Sequence, residues 1–109
     1  MYGDITDYRG TEQKEIGTVV LSSEEDHKEH LRIAHCDDGR AAPSLDVRMF
    51  VDSERGRRPY KGPTKEGFHL YGKQIITFFA QMRLAEEEFE IEPGAMEEAI
   101  EKIRSDRSQ

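Results

Sequence analysis

The chain has 109 residues, of which 35% are hydrophobic and 36% charged, with no Trp; this bounds it to one domain with a thin core. No stretch approaches the roughly 18–20 apolar residues that cross a bilayer, no charged, apolar and small-residue leader opens the sequence, so a secretory signal is not expected, and the single Cys36 excludes a disulfide framework or a multi-Cys zinc site within one chain. The net charge of −7, taken whole, argues against a phosphate-rich partner, and the thin core calls for oligomerisation.

Residues 1–15 are polar and acidic without sustained periodicity and read as a flexible arm. Residues 16–22 form a β-branched run, a first strand. After a polar turn, residues 30–36 read as a second strand, with Leu31, Ile33 and His35 on one face and His30, Arg32, Ala34 and Cys36 on the other. Gly39 and Pro43 break the next loop. Residues 44–52 carry the clearest pattern. Leu45, Val47, Met49 and Val51 alternate with Asp46, Arg48, Phe50 and Asp52, which predicts a strand with the first set in the core and the second facing outward.

A long turn rich in Gly, Pro and cations precedes a short fourth strand around Phe68 and Leu70. From Lys73 to Phe89, Ile75, Ile76, Phe79, Met82 and Phe89 recur at helical spacing, with Phe78 widening the stripe. Pro93 and Gly94 interrupt the chain, and a short second helix follows over 95–104, with a fraying tail. Strands segregated from helices predict an α+β fold, a four-stranded antiparallel sheet with one face under the helix and the other free to bind. The organisation expected is an arm at 1–15, a domain at 16–92, and a short helix with its tail at 93–109.

The charge is unevenly placed. Residues 1–27 and 74–109 are each −5, whereas residues 28–73 are +3. The turn from Arg55 to Lys65 holds Arg55, Arg57, Arg58, Lys61 and Lys65 and no acid. Such a turn suits phosphate contacts; a plain solvated hairpin is the competing reading. Arg48 and Phe50 share a strand face, a cation for phosphate beside a ring for a base, and Tyr60 within the turn offers a second ring. Against this, Phe50 could be a subunit contact or a partly covered surface residue, and Arg48 could pair with Asp46 or Asp52.

The run from Leu45 to Met82 resembles the core of the positive cofactor four family, small coactivator-type proteins whose C-terminal domain binds single-stranded DNA. Leu45-Asp46-Val47-Arg48, Phe50, the Asp52–Gly56 turn, Arg58-Pro59, Lys65-Glu66-Gly67 and Phe68-His69-Leu70 carry the likeness in order, with 30–36 as the upstream strand. It spans residues 16–89. Tyr60–Pro63 looks like an insertion, Glu66 stands where a basic residue is usual, and the Asp37–Pro43 loop is longer.

The resemblance implies a homodimer of curved sheets that pairs through strands and helices, burying Ile75, Phe78, Phe79 and Met82. It implies phosphate contacts from Arg48, Arg58, Lys61 and Lys65, with Arg32 and Arg40 from the upstream strand and loop, and stacking by Phe50 and Tyr60. Arg57 joins this set as a member of the basic turn. The function it implies is binding of single-stranded DNA with little sequence specificity, by a transcriptional coactivator-like regulator.

Catalysis is not expected. His27, His30, His35 and His69 do not converge by sequence on a metal site, Cys36 and His35 are strand neighbours facing opposite ways, and no Walker or Rossmann glycine pattern occurs. No cofactor, metal or membrane partner is expected. Melted duplex, RNA, and transcription or replication proteins are further candidate partners. The competing readings are a protein-interaction dimer, an RNA-binding module and a small hydrolase. The absence of a basic localisation tract points to a bacterial cytoplasm, as a nucleoid-associated protein, or to a phage rather than to a nucleus.

Overall fold

The computed structural model describes residues 5–6, 12–37 and 43–107. Five strands, β1 (Ile5–Thr6), β2 (Glu12–Glu24), β3 (His27–Asp37), β4 (Ser44–Ser53) and β5 (Tyr60–Tyr71), are followed by α1 (Lys73–Glu88) and α2 (Pro93–Arg107). The sheet is an antiparallel meander in chain order, four long strands with the two-residue β1 at one edge. The α+β class read from the sequence is the one observed. The chain divides into a sheet unit through Ile75 and a helical unit from Ile76.

The strands are longer than their patterning predicts. β2 begins at Glu12, and Ile5–Thr6 pairs with Gln13 and Glu12, so residues 5–6 and 12–15 of the expected arm lie in the sheet. Residues 1–4 and 7–11 lie outside the described residues. Bulges at Ile16 and Leu21 break the period-two alternation of β2, which hides the strand's true extent. β5 runs through Gly62, Pro63 and Gly67. Proline lacks a ladder donor, but β5 is the last strand of the sheet and its outer edge needs none. The supposed insertion Tyr60–Pro63 is therefore strand, paired with Ser53 to Phe50.

The register fixes two faces. Arg32 lies opposite Arg48, His30 opposite Phe50, Ala34 opposite Asp46, and Asp46 opposite His69. These side chains share one face; Leu31, Ile33, Leu45, Val47 and Met49 share the other. The first part of β4 is buried on both: Leu45 and Val47 on one side, Ser44 and Asp46 on the other, with Phe50 further along, beside Arg32, Ala34 and Cys36 of β3. The sequence placed the Arg48–Phe50 face outward; the structure buries much of it. Its charged groups have partners of opposite charge, Arg32 with Glu15 and Arg48 with Asp46, which offsets their removal from water.

Gly72, at φ 50°, turns the chain out of β5. Gln74 then reaches back to accept from the Tyr71 backbone N–H at 3.0 Å, a side-chain closure of the α1 start. The end of α1 is closed by Ile91 N–H donating to Glu86 O at 3.4 Å, with Glu90 at φ 50° in the left-handed position a glycine would normally take. Pro93 opens α2 at the first helical position, where its missing donor costs nothing. α2 continues to Arg107, past the expected fraying point. Neither helix has a buried residue among those described.

Candidate nucleic-acid interface

Nine residues were expected to meet nucleic acid, and the structure separates them. Arg32 is 1% exposed. Its Nη1 donates to Gln13 Oε1 at 2.7 Å, Glu15 stands 3.5 Å from its Nε, and its guanidinium lies 5.4 Å from the centre of the Phe50 ring. Phe50 is 2% exposed and stacks on His30 with centroids 5.5 Å apart. Neither residue faces solvent, so the expectations of a phosphate contact from Arg32 and a stacked base on Phe50 are corrected: this cation and ring serve each other inside the sheet unit. Arg40 lies outside the described residues.

Arg48 is half-buried. Its Nη2 and Nε donate to the two carboxylate oxygens of Asp46 at 3.0 and 3.3 Å, and its Nη1 donates to Thr64 O at 3.2 Å. The competing reading, a pair with Asp46, is the one the structure shows. A fork locked on a carboxylate has little left for a phosphate.

The basic turn is different. β4 ends at Ser53 and β5 begins at Tyr60, leaving Arg55, Arg57 and Arg58 on the connection. Arg55 is tied to the neighbouring β2–β3 turn: Nε donates to Asp26 Oδ2 at 3.1 Å, and Nη2 contacts Glu24. Glu54 N–H donates to Asp26 O at 2.9 Å, so main chain and side chain hold the two turns together. The bond from Arg55 keeps the Asp26 carboxyl below its ordinary range, and the bond to Asp26 raises the Arg55 guanidinium.

Beyond this clamp, Arg57, Arg58 and Lys65 are exposed and form no ion pair with any described residue. Lys61 is exposed and only 3.9 Å from Asp52. Tyr60 is 50% exposed, with its hydroxyl donating to Pro63 O, and its ring lies beside Gly62. Lys65 owes its place to a bulge. Arg48 pairs with Gly67 and Phe50 with Pro63, so Thr64, Lys65 and Glu66 stand opposite Met49 alone. Thr64 Oγ1 donates to Met49 O at 2.9 Å and accepts from Glu66 N–H at 3.1 Å, which pins the bulge and turns Lys65 outward.

Thus Arg57, Arg58, Tyr60, Lys61 and Lys65 stand exposed on the turn and the first part of β5, while Arg32, Arg48 and Phe50 are engaged within the sheet unit. Sequence reasoning missed the holding roles of Thr64 and Asp26. Thr64 had a weak signal, a threonine between Pro63 and Lys65 where a strand must kink; Asp26 had none. Of the residues expected at a subunit interface, Ile75 and Phe78 are half-buried and Phe79 and Met82 are exposed. Among the described residues no three His, Cys, Asp or Glu side chains group as a metal site, and no helix is long and apolar enough to cross a membrane. Comparison with protein-family models, curated proteins and solved structures found no match to this chain.

Proposed function

We propose that this chain binds single-stranded DNA with little sequence preference, as a homodimer, in the manner of the positive cofactor four family it resembles, and acts as a coactivator-like regulator of transcription. One observation carries the reading. The buried or half-buried cations Arg32 and Arg48 and the clamp residue Arg55 have carboxylate partners, whereas Arg57, Arg58 and Lys65, on one turn and the adjoining strand, form no ion pair with any described residue. Cations that meet phosphates release counterions, and the exposed Tyr60 ring stacks on a base. The −7 of the whole chain governs solubility; the field at the turn is set locally.

A fluorescence-anisotropy titration with a single-stranded oligonucleotide tests this. Three to four phosphate contacts per protomer give a slope of log K against log salt of roughly −2 to −3, or about a thirtyfold loss of affinity between 50 and 200 mM. Absence of binding at low salt overturns the reading, and binding indifferent to salt overturns its phosphate mechanism. Parallel titrations with RNA and duplex DNA assign strand preference. The exposed apolar side chains of the helices, Ile76, Phe79, Met82 and Leu84, favour a second reading, a protein-interaction dimer; it takes over if no nucleic acid binds and the chain still associates.

A further inference from the structure

β4 places Ser44 and Asp46 two residues apart on one face, and the β4–β5 register sets His69 directly opposite Asp46. The imidazole therefore stands between a hydroxyl and a carboxylate. Its Nε2 is 2.7 Å from Ser44 Oγ and its Nδ1 is 3.2 Å from Asp46 Oδ1. An ionised carboxylate only accepts, so in the neutral ring the proton belongs on Nδ1 and the Nε2 lone pair faces the serine hydroxyl. Asp46, 5% exposed, cannot turn away, because Arg48 holds both its oxygens.

A nucleophile within hydrogen-bond reach of a base that a third group orients is the arrangement of acyl-transfer catalysts. We infer that Ser44, His69 and Asp46 form a second site, a serine nucleophile that accepts the acyl group of an activated ester. The inference is independent of the nucleic-acid reading.

Ser44 Oγ bonds to the acyl carbon while its proton passes to His69 Nε2, and Asp46 stabilises the imidazolium. Collapse breaks the bond to the leaving oxygen, which takes that proton and departs as the alcohol. Water then attacks the acyl-serine, gives a proton to Nε2, and releases the carboxylic acid with Ser44 restored. An aryl ester asks least of the site, because its phenolate leaves readily. The Tyr71 ring, 4.7 Å from the His69 ring and exposed, offers an aryl group an apolar flank.

The test treats the full chain with a fluorophosphonate, which loses fluoride to an activated serine, and maps the adduct by peptide mass spectrometry. A phosphonyl group on Ser44 in preference to the other serines is expected. Hydrolysis of p-nitrophenyl acetate should fall roughly a hundredfold in Ser44→Ala and in His69→Gln, the scale of a lost nucleophile or general base, with circular dichroism confirming both folds. No adduct, an adduct spread over other serines, or Ser44→Ala hydrolysing the ester at the wild-type rate overturns the proposal. The mapping uses the unsubstituted chain, so it decides the question even if a variant fails to fold.

Discussion

Arg55 and Asp26 join the tips of two hairpins, with Arg55 Nε 3.1 Å from Asp26 Oδ2, so one of the five cations of the basic turn is spent on position. This separates Arg55 from its neighbours in a measurable way. A cation that touches phosphate contributes to the salt slope, about 0.7 for single strands, whereas one that only places others does not. Arg57→Ala and Arg58→Ala should each flatten the slope by about 0.7. Arg55→Ala should weaken binding and leave the slope unchanged. Equal flattening in all three would make Arg55 a phosphate contact and the clamp incidental.

The same pair sets a pH dependence. Hydrogen bonding from Arg55 lowers the Asp26 carboxyl below its ordinary 3.8. A depressed carboxylate contributes its stabilisation fully above the unfolded-state value and loses it as pH falls through the folded value. The clamp should therefore persist at pH 5 and open only in strong acid, below the ordinary carboxylate range. An NMR titration of the Asp26 side-chain carboxyl should report the low value, and Arg55→Ala should return it upward. An unchanged midpoint in that variant would remove Arg55 as the cause.

Phe50 distinguishes a core residue from a stacking platform. Burial at 2% exposure puts Phe50→Ala among large-to-small core substitutions, which cost about 3–5 kcal/mol, visible as a lower urea midpoint. Phe50→Leu should retain most of the stability and all of the oligonucleotide affinity. Tyr60→Ala should do the reverse, weakening binding by roughly 1–3 kcal/mol with little change in the urea midpoint. A binding loss in Phe50→Leu equal to that in Tyr60→Ala would show that the ring meets a base after all.

That contrast also shows where a sequence stops being legible. Alternation along residues 44–52 assigned Arg48 and Phe50 to one face correctly, because side-chain direction is a local property of a strand. It said nothing of what that face meets. Arg32 donates to Gln13 and pairs with Glu15, and Asp46 is held by Arg48 and His69; except for Asp46–Arg48, each partner is set by strand register over a long separation. A charged, buried face has the residue types of a solvated one. The helices were readable because their spacing and the Pro93 break are local, whereas β5 was cut short because Gly62, Pro63 and Gly67 are turn residues everywhere except at an edge. The basic turn was legible as charge; which of its cations are free was not, since Asp26 lies 29 residues from Arg55.

Gly67 is where β5 comes closest to β4. A β-carbon there would lie 2.7 Å from Arg48 Cα and crowd the Val47 carbonyl, and the residue sits at φ 155°. The obstacle is backbone, which cannot step aside as a side-chain tip can. Gly67→Ala should push β5 away at the bulge, loosen Arg48 from Thr64 O, and lower the thermal midpoint by several degrees; ~1 kcal/mol corresponds to roughly 4–8 °C in a chain of this size. Gly56→Ala makes the comparison, since nothing lies within 4 Å of its added carbon and only its positive φ resists. A Gly67→Ala midpoint no lower than that of Gly56→Ala would mean the close approach is not a constraint.

Phe79 tests the proposed dimer. It is 54% exposed on α1, between Ile76 and Met82, which are exposed as well. Burying a side chain of this size contributes roughly 1.5–3 kcal/mol, and a two-fold interface counts each ring twice. Phe79→Asp removes both contributions and sets two carboxylates where apolar surfaces should meet. Sedimentation equilibrium should show the unsubstituted chain as a dimer and Phe79→Asp with a dissociation constant raised at least a hundredfold, about 2.7 kcal/mol. The ring is exposed, so the β-sheet dichroism of the variant should persist. A wild-type chain that stays monomeric at every concentration would rule out the homodimer and leave the apolar stripe to a different partner.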